Sequence, residues 1–199
     1  HLYSNECGDF HAIDCPSCPF NRSFCSDMAG WKQIANNVFI WHYNTNFSNY
    51  LLPFPDFDEL AADLPMYQRH GVVGVFLEGA YPKGGGGENA ELRSYVMARL
   101  LWDPSIDVNR EIDEFLAAVY GAAAKPMRAW FDLLHQQVRP EGKGQHIFIR
   151  RSPYLSPEVI SRGQALFDQA GSLAADDAVK HRVRKARLPL DVSGKAAAA

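Results

Sequence analysis

The chain has 199 residues, of which 47% are hydrophobic and 22% charged, the composition of an ordinary globular protein. Its net charge of −3 argues against a nucleic-acid partner, because proteins that bind phosphate backbones present a basic patch. One short basic run at residues 180–187 falls among apolar residues at helical spacing, which indicates a solvated helix face. No apolar stretch approaches the roughly 20 residues that span a bilayer.

Three successive units alternate a strand pattern with a helix pattern along the first half of the chain. Strands are predicted at residues 1–6, 38–43 and 72–77, and helices at residues 22–36, from residue 56, and at residues 89–101. The second strand is β-branched and aromatic, and the third is nearly all apolar, as in a strand buried on both faces. Repeated units of this kind predict a parallel sheet covered by helices.

Two of these helices carry capping signals at their starts. Asn21 precedes the first helix and is suited to the N-cap position. Asp56 precedes the second helix and is followed three residues later by Glu59, which predicts a capping box.

After residue 102 the strand signal nearly vanishes. Apolar stripes at helical spacing predict four helices, at residues 112–119, at residues 127–138, from Ser156, and at residues 176–188. The connector at residues 139–153 holds a candidate short strand at residues 146–149.

Four cysteines fall within the first 25 residues: Cys7, Cys15, Cys18 and Cys25. A structural zinc site is one interpretation, although the chain has a single Cys-x-x-Cys pair where zinc ribbons have two. Disulfide bonding in a secreted protein and unpaired buried thiols are the other two. We assign no metal and no cofactor to the chain.

Three parallel strands do not close a barrel, which needs eight strands and roughly 250 residues. We therefore predict that residues 1–104 are the last three βα units of a (β/α)₈ TIM-type barrel whose earlier strands belong to sequence upstream of this chain. Residues 105–190 are predicted to be a helical extension, and residues 191–199 a tail. A small, complete, doubly wound sheet is the alternative fold.

In parallel α/β folds the active site lies at the C-terminal ends of the strands. Glu78 follows the apolar third strand directly, which places a carboxylate at the rim of an apolar barrel mouth, suited to general acid work. Glu6 holds the equivalent place after the first strand, and glycoside hydrolysis needs two carboxylates. A structural role for Glu78, in an ion pair with an arginine or in a loop cap, is the alternative. Glu88 and Glu91 are interpreted as helix caps.

Polar and aromatic residues near the strand ends are the candidate substrate ligands. His42 and Asn44 are suited to hydrogen-bond sugar hydroxyls, and they alternate with Trp41 and Tyr43. Because side chains alternate between the faces of a strand, one pair faces the site and the other faces the helices, with Trp41 expected in the core. The predicted substrate-binding residues are His42, Tyr43, Asn44, Asn46 and Tyr81.

Several segments together resemble a bacterial domain of unknown function that is grouped with α-glucuronidase-like and hexosaminidase-like glycoside hydrolases. The segments that carry the resemblance are residues 41–47, 74–79, 91–95, 100–104, 114–116, 120–121 and 155–158. The resemblance implies a barrel followed by a helical region, in a secreted or periplasmic polysaccharide-degrading protein with further sequence upstream. His42 departs from the family pattern, which has an acidic residue after the strand tryptophan.

The leading functional hypothesis is a glycoside hydrolase-like protein that cleaves O-glycosyl bonds of a polysaccharide or oligosaccharide by carboxylate general acid/base catalysis. The alternative hypotheses are a non-catalytic carbohydrate-binding protein and a scaffold subunit on a degenerate barrel. Carbohydrate is the expected partner, with no nucleic acid and no membrane span.

Overall fold

The computed structural model describes residues 2–3, 12–81, 86–138, 147–150 and 152–197. This part of the chain is a mixed α/β structure, mostly helical, with three parallel strands in the order β1-β2-β3. The strands are β1 (Leu2–Tyr3), β2 (Val38–Tyr43) and β3 (Val72–Glu78). The helices are α1 (Pro19–Ile34), α2 (Phe57–Arg69), α3 (Ala90–Trp102), α4 (Val108–Tyr120), α5 (Ala124–Val138), α6 (Pro157–Leu173) and α7 (Asp177–Ala197).

The two longer strands form the parallel pair that the sequence predicts. Trp41 lies opposite Phe76 in the register, and Tyr43 lies opposite Glu78. Val38, Ile40 and His42 are buried on the face of β2 that α1 and α2 cover. The pairing therefore brings the C-terminal ends of β2 and β3 to one edge of the sheet.

The opposite face of the sheet has no helix over it in the described part of the chain. Phe39 is 43% exposed, and Val73 and Phe76 are 56% and 53% exposed. Parallel sheets are normally covered on both faces, so this apolar surface is unusual for a sheet of this kind.

The predicted cap at Asn21 is wrong, and the capping box predicted at Asp56 does not form. Helix α1 begins at Pro19 behind Cys18, and Asn21 lies inside the helix, where its side-chain Nδ2 donates to the carbonyl of Ala12 at 3.1 Å. Asp56 does stand at the N-cap of α2, but its carboxylate makes no capping hydrogen bond. The carboxylate is instead paired with Arg93, so the capping box does not form.

The helical half also follows the prediction in outline. Ser156 caps α6 by accepting a hydrogen bond from the Val159 amide at 3.2 Å. Helix α7 continues to Ala197, beyond the predicted end at residue 188. Residues 147–149 form a turn and irregular chain where a short strand was expected, and His146 lies outside the described residues.

One hydrophobic core joins both halves. It includes Ile40 of the sheet, Leu100 of α3, Ile112 of α4, Phe167 of α6 and Leu190 of α7. Because these side chains are in one continuous cluster, the helices after residue 104 pack directly on the βα units. Within the described residues, no helix has both the length and the apolarity that a membrane span requires.

Candidate functional site

Glu78 is the last residue of β3 and lies at the edge where the parallel strands end. Its Oε2 accepts a hydrogen bond from the indole Nε1–H of Trp41, on the neighbouring strand. The Trp41 ring packs edge-on against Phe76, with ring centroids 4.8 Å apart. The Glu78 carbonyl accepts a hydrogen bond from the Asn44 amide at 3.2 Å, which extends the strand pairing past Tyr43. The carboxylate is therefore held at a defined place by β2.

A row of aromatic rings lies beside this carboxylate. Tyr43 contacts Phe47, Phe47 contacts Tyr50, and Tyr50 contacts Tyr81, with ring centroids 5.5, 5.9 and 5.7 Å apart. Partial burial raises the pKa of Tyr50, and Tyr81 and Glu78 add to the rise, which places all three groups close together. Tyr81 is 83% exposed and Glu78 is half-buried, so the cluster is open to solvent. We call Glu78, Trp41, Tyr43, Tyr50 and Tyr81 the rim cluster.

The two asparagines of the predicted site lie below the rim. Asn44 is fully buried, its Nδ2 donates to the sulfur of Met97, and its Oδ1 has no hydrogen-bond partner among the described residues. Asn46 is also fully buried, and both ends of its amide are used. Its Nδ2 donates to the Ile149 carbonyl at 2.8 Å, and its Oδ1 accepts from the Ser48 amide at 2.9 Å. Asn46 therefore shapes the loop that carries Phe47 and Tyr50.

His42 points to the opposite side of β2, toward the helices. Its Nδ1 lies 2.9 Å from the Tyr67 hydroxyl, and the ring is 6% exposed. Burial lowers the pKa of His42 to about 4, so the imidazole is neutral at neutral pH. Of the two alternating pairs in β2, Trp41 and Tyr43 face the rim, whereas the sequence interpretation had Trp41 in the core.

Residues 147–150 contact the loop that follows β2 and hold it in place. The Phe47 amide donates to the Ile147 carbonyl at 2.7 Å, and the Ser48 hydroxyl donates to the Phe148 carbonyl at 2.9 Å. The Phe148 ring also packs against Phe47, with centroids 6.0 Å apart. The aromatic wall of the rim therefore depends on a segment about 100 residues further along the chain.

A buried ionic cluster lies behind the rim. Arg93 of α3 pairs with Asp56 and, at 3.3 Å, with Glu88, and its guanidinium also donates to the Phe54 carbonyl at 2.7 Å. All three charged side chains are nearly inaccessible. Burial raises the pKa of Glu88 to about 7 even though Arg93 opposes the rise. The sequence interpretation had Glu88 as a helix cap and gave Arg93 no role.

This cluster is linked to the rim through the backbone of Tyr50. The Glu88 amide donates to the Tyr50 carbonyl at 2.8 Å. A Cβ added at Gly87 would lie 2.5 Å from that same carbonyl oxygen, so the close approach requires glycine here. Glu91, the other predicted cap, pairs with Lys185 of α7.

Two predictions fall on residues near the start of the chain. Glu6, the predicted carboxylate partner, and Cys7 lie outside the described residues. Cys15, Cys18 and Cys25 form no disulfide bond with one another. Within the described ranges, no group of three or more His, Cys, Asp or Glu residues is arranged to hold a metal ion.

The fold and the rim define the class: a mixed α/β protein that presents a carboxylate among aromatic rings at the ends of parallel strands. Residues 7–132 match the family described as Domain of unknown function (DUF4838), so the chain belongs to that family. The match covers more than half of the chain and includes all of β2, β3 and the rim cluster. No curated protein and no solved structure matches the chain.

Proposed function

We propose that this protein is glycoside hydrolase-like, acts on a polysaccharide or oligosaccharide, and uses Glu78 as one of its two catalytic carboxylates. The observation that carries the proposal is the position of Glu78, which is oriented by the Trp41 indole at the C-terminal edge of parallel strands and flanked by Tyr43, Tyr50 and Tyr81. Aromatic faces pack on the C–H faces of sugar rings, and a carboxylate beside them is placed to act on the glycosidic oxygen.

We also propose that the protein has the barrel fold predicted from the sequence. The three strands are then the last βα units of a (β/α)₈ TIM-type barrel, and sequence upstream of this chain supplies the others. The exposed apolar face formed by Phe39, Val73 and Phe76 supports this, because it becomes barrel interior once further strands close the sheet. A secreted or periplasmic location completes the proposal, since polysaccharide substrates lie outside the cytoplasm.

Within this mechanism the described residues have separate roles. Trp41 holds Oε2 of Glu78, and Oε1 makes no hydrogen bond within the described residues, so Oε1 is the atom that faces the substrate. In glycoside hydrolysis one carboxyl group protonates the leaving oxygen while the other attacks the sugar or activates water. Glu6, which lies outside the described residues, stays the predicted second carboxylate.

The predicted substrate-binding residues fall into two groups, those at the rim and those that are buried. Tyr43 and Tyr81 lie at the rim, where they can contact a sugar directly. His42 and Asn46 also stay predicted ligands, but their burial and existing hydrogen bonds favour support of the strand and loop over direct contact. The buried Oδ1 of Asn44, which has no hydrogen-bond partner in the described part of the chain, is placed to accept a hydrogen bond if a ligand or loop reaches it.

Activity screening of the full-length protein against a panel of polysaccharides and oligosaccharides tests the proposal. Glu78→Gln keeps the side-chain shape and is expected to lower turnover on any substrate found by at least roughly 100-fold. Glu158→Gln, on the exposed start of α6, is the matched control and should retain activity. Equal activity in both variants, with unchanged thermal stability, would remove Glu78 from the mechanism.

A non-catalytic carbohydrate-binding protein is the second candidate function, and the open arrangement of Tyr50 and Tyr81 favours it. It predicts heat on titration with a glycan in a calorimeter and no released product. Tyr81→Ala should then abolish binding, whereas Glu78→Gln should leave it largely intact. A scaffold subunit, the third hypothesis, predicts a stable protein partner and no glycan affinity.

A further inference from the structure

A second concave site lies mainly among the helices and borders the rim at Leu51, the residue after Tyr50. It is a cavity of about 580 Å³ between α4 and α7, closed below by α5 and at one side by the start of α3. Pockets that take small organic ligands measure roughly 300–1,000 Å³ and are mostly apolar with a few converging polar groups. The size of this cavity is within that range.

The floor and the entrance of the cavity differ in character. Leu92, Leu116, Met127, Trp130 and Phe131 line the floor, and each is 6% exposed or less. At the entrance α7 contributes Arg182 and Lys185, and α4 contributes Tyr120. An apolar floor under a polar entrance suits a ligand that has an apolar body and one charged end.

The charges at the entrance determine the sign of that charged end. Lys185 is paired with Glu91 of α3, which neutralises it. Arg182 donates to the Val119 carbonyl at 3.0 Å and has no carboxylate partner among the described residues. The Tyr120 hydroxyl is close to both Glu91 and Arg182, since both charges act on its pKa. The entrance therefore carries one excess positive charge beside a phenolic hydroxyl.

We propose that this cavity binds a small organic anion with an aromatic or aliphatic body, whose charged group pairs with Arg182 while its body lies on Trp130 and Phe131. The guanidinium is the better anchor of the two cations, because it presents several donors in a plane and is not already neutralised. No rim-cluster residue lines the cavity, and the proposal does not depend on carbohydrate chemistry.

Two fluorescent probes that differ only in charge test this assignment. 8-Anilinonaphthalene-1-sulfonate has a sulfonate on its aromatic body, and N-phenyl-1-naphthylamine is the same body without it. Both should bind the purified protein saturably at one site. Arg182→Gln should weaken sulfonate binding roughly three- to fivefold, the effect of one partly exposed ion pair, and leave the neutral probe unchanged.

Ala186→Phe adds a ring to the lining of the cavity and should abolish saturable binding of both probes. Arg162→Gln, the same change on the exposed face of α6, should affect neither probe. The thermal midpoint of each variant is measured to confirm folding. The proposal is overturned if the wild-type protein binds neither probe, if Arg182→Gln weakens both probes equally, or if folded Ala186→Phe binds as the wild type does.

Discussion

Trp41 and Glu78 are 37 residues apart in sequence, yet the indole N–H of one donates to the carboxylate of the other across adjacent parallel strands. Trp41→Phe keeps a ring against Phe76 and removes only the donor. We expect turnover on a hydrolysed glycan to fall roughly tenfold, with a smaller change in KM, because the carboxylate loses its orientation while the aromatic surface remains.

Trp102→Phe is the matched control, since Trp102 is 87% exposed at the end of α3 and lies away from the rim. Steady-state kinetics on the two variants separate orientation from general stability. If kcat falls equally in both variants, or in neither, the Trp41 donor does not position Glu78.

The buried cluster around Arg93 gives a prediction about folding stability. Arg93→Met leaves Asp56 and Glu88 buried without their cation, and removing one partner from a buried ion pair typically costs about 3–5 kcal/mol. Urea unfolding should show a loss of this size. Arg110→Met breaks the exposed pair with Glu114 on α4 and should change the unfolding midpoint little. Similar midpoints for the two variants would contradict a structural role for the cluster.

The raised pKa of Glu88 predicts how stability depends on pH. The folded state holds this proton up to a pKa of about 7, whereas the unfolded chain releases it near 4.5, so the folded state binds more protons between these values. The stabilising contribution is fully present below about pH 4.5 and is lost as pH rises through about 7. Asp56 shifts in the same direction through burial.

Glu88→Gln removes this titration, so its stability relative to the wild type should rise between pH 5 and pH 8, by up to about 3 kcal/mol. Urea unfolding of both proteins across that range measures the difference. A constant difference across the range would show that Glu88 does not titrate there.

Two glycines in helix α6 give a matched pair for packing. A Cβ at Gly163 would lie 2.5 Å from the Trp130 ring, whereas a Cβ at Gly171 meets nothing within 4 Å. Gly163→Ala should therefore destabilise the fold by about 1–3 kcal/mol through overpacking. Gly171→Ala should stabilise it by about 0.5–1 kcal/mol, because alanine restricts the unfolded chain and favours helix. Opposite shifts in thermal midpoint are expected, and shifts of the same sign would argue against the α5–α6 contact.

Periodicity was sufficient to locate β2, β3 and most of the helices, because those segments bury apolar residues at regular spacing. It also placed Glu78 and Tyr43 at the same edge, since the ends of parallel strands coincide. The face of His42 was ambiguous, because alternation fixes which residues share a face but not which face the helices cover.

Contacts between residues far apart in the sequence explain the features of the structure that the sequence analysis did not predict. Asp56 has the local sequence features of an N-cap, but its carboxylate pairs with Arg93. A local sequence pattern cannot predict a contact between residues 37 positions apart. The Tyr50 backbone at the rim is held by a hydrogen bond from the Glu88 amide and a close approach of Gly87, both in the next βα unit. The sequence did hold one indication that Arg93 is buried, because it lies on an otherwise apolar side of α3.

The hydrogen bonds from the loop after β2 to Ile147 and Phe148 have a consequence for the order of events during synthesis. These contacts join residues about 100 positions apart, so they cannot form until residues 147 and 148 have been synthesised, after the whole of α5. The family match ends at residue 132, before these contacts. A recombinant piece that ended at residue 132 would keep Glu78 but would lose the hydrogen bonds to Ile147 and Phe148 together with the part of the core that α6 and α7 supply. We therefore expect neither the loop after β2 nor the core to keep its conformation in such a piece.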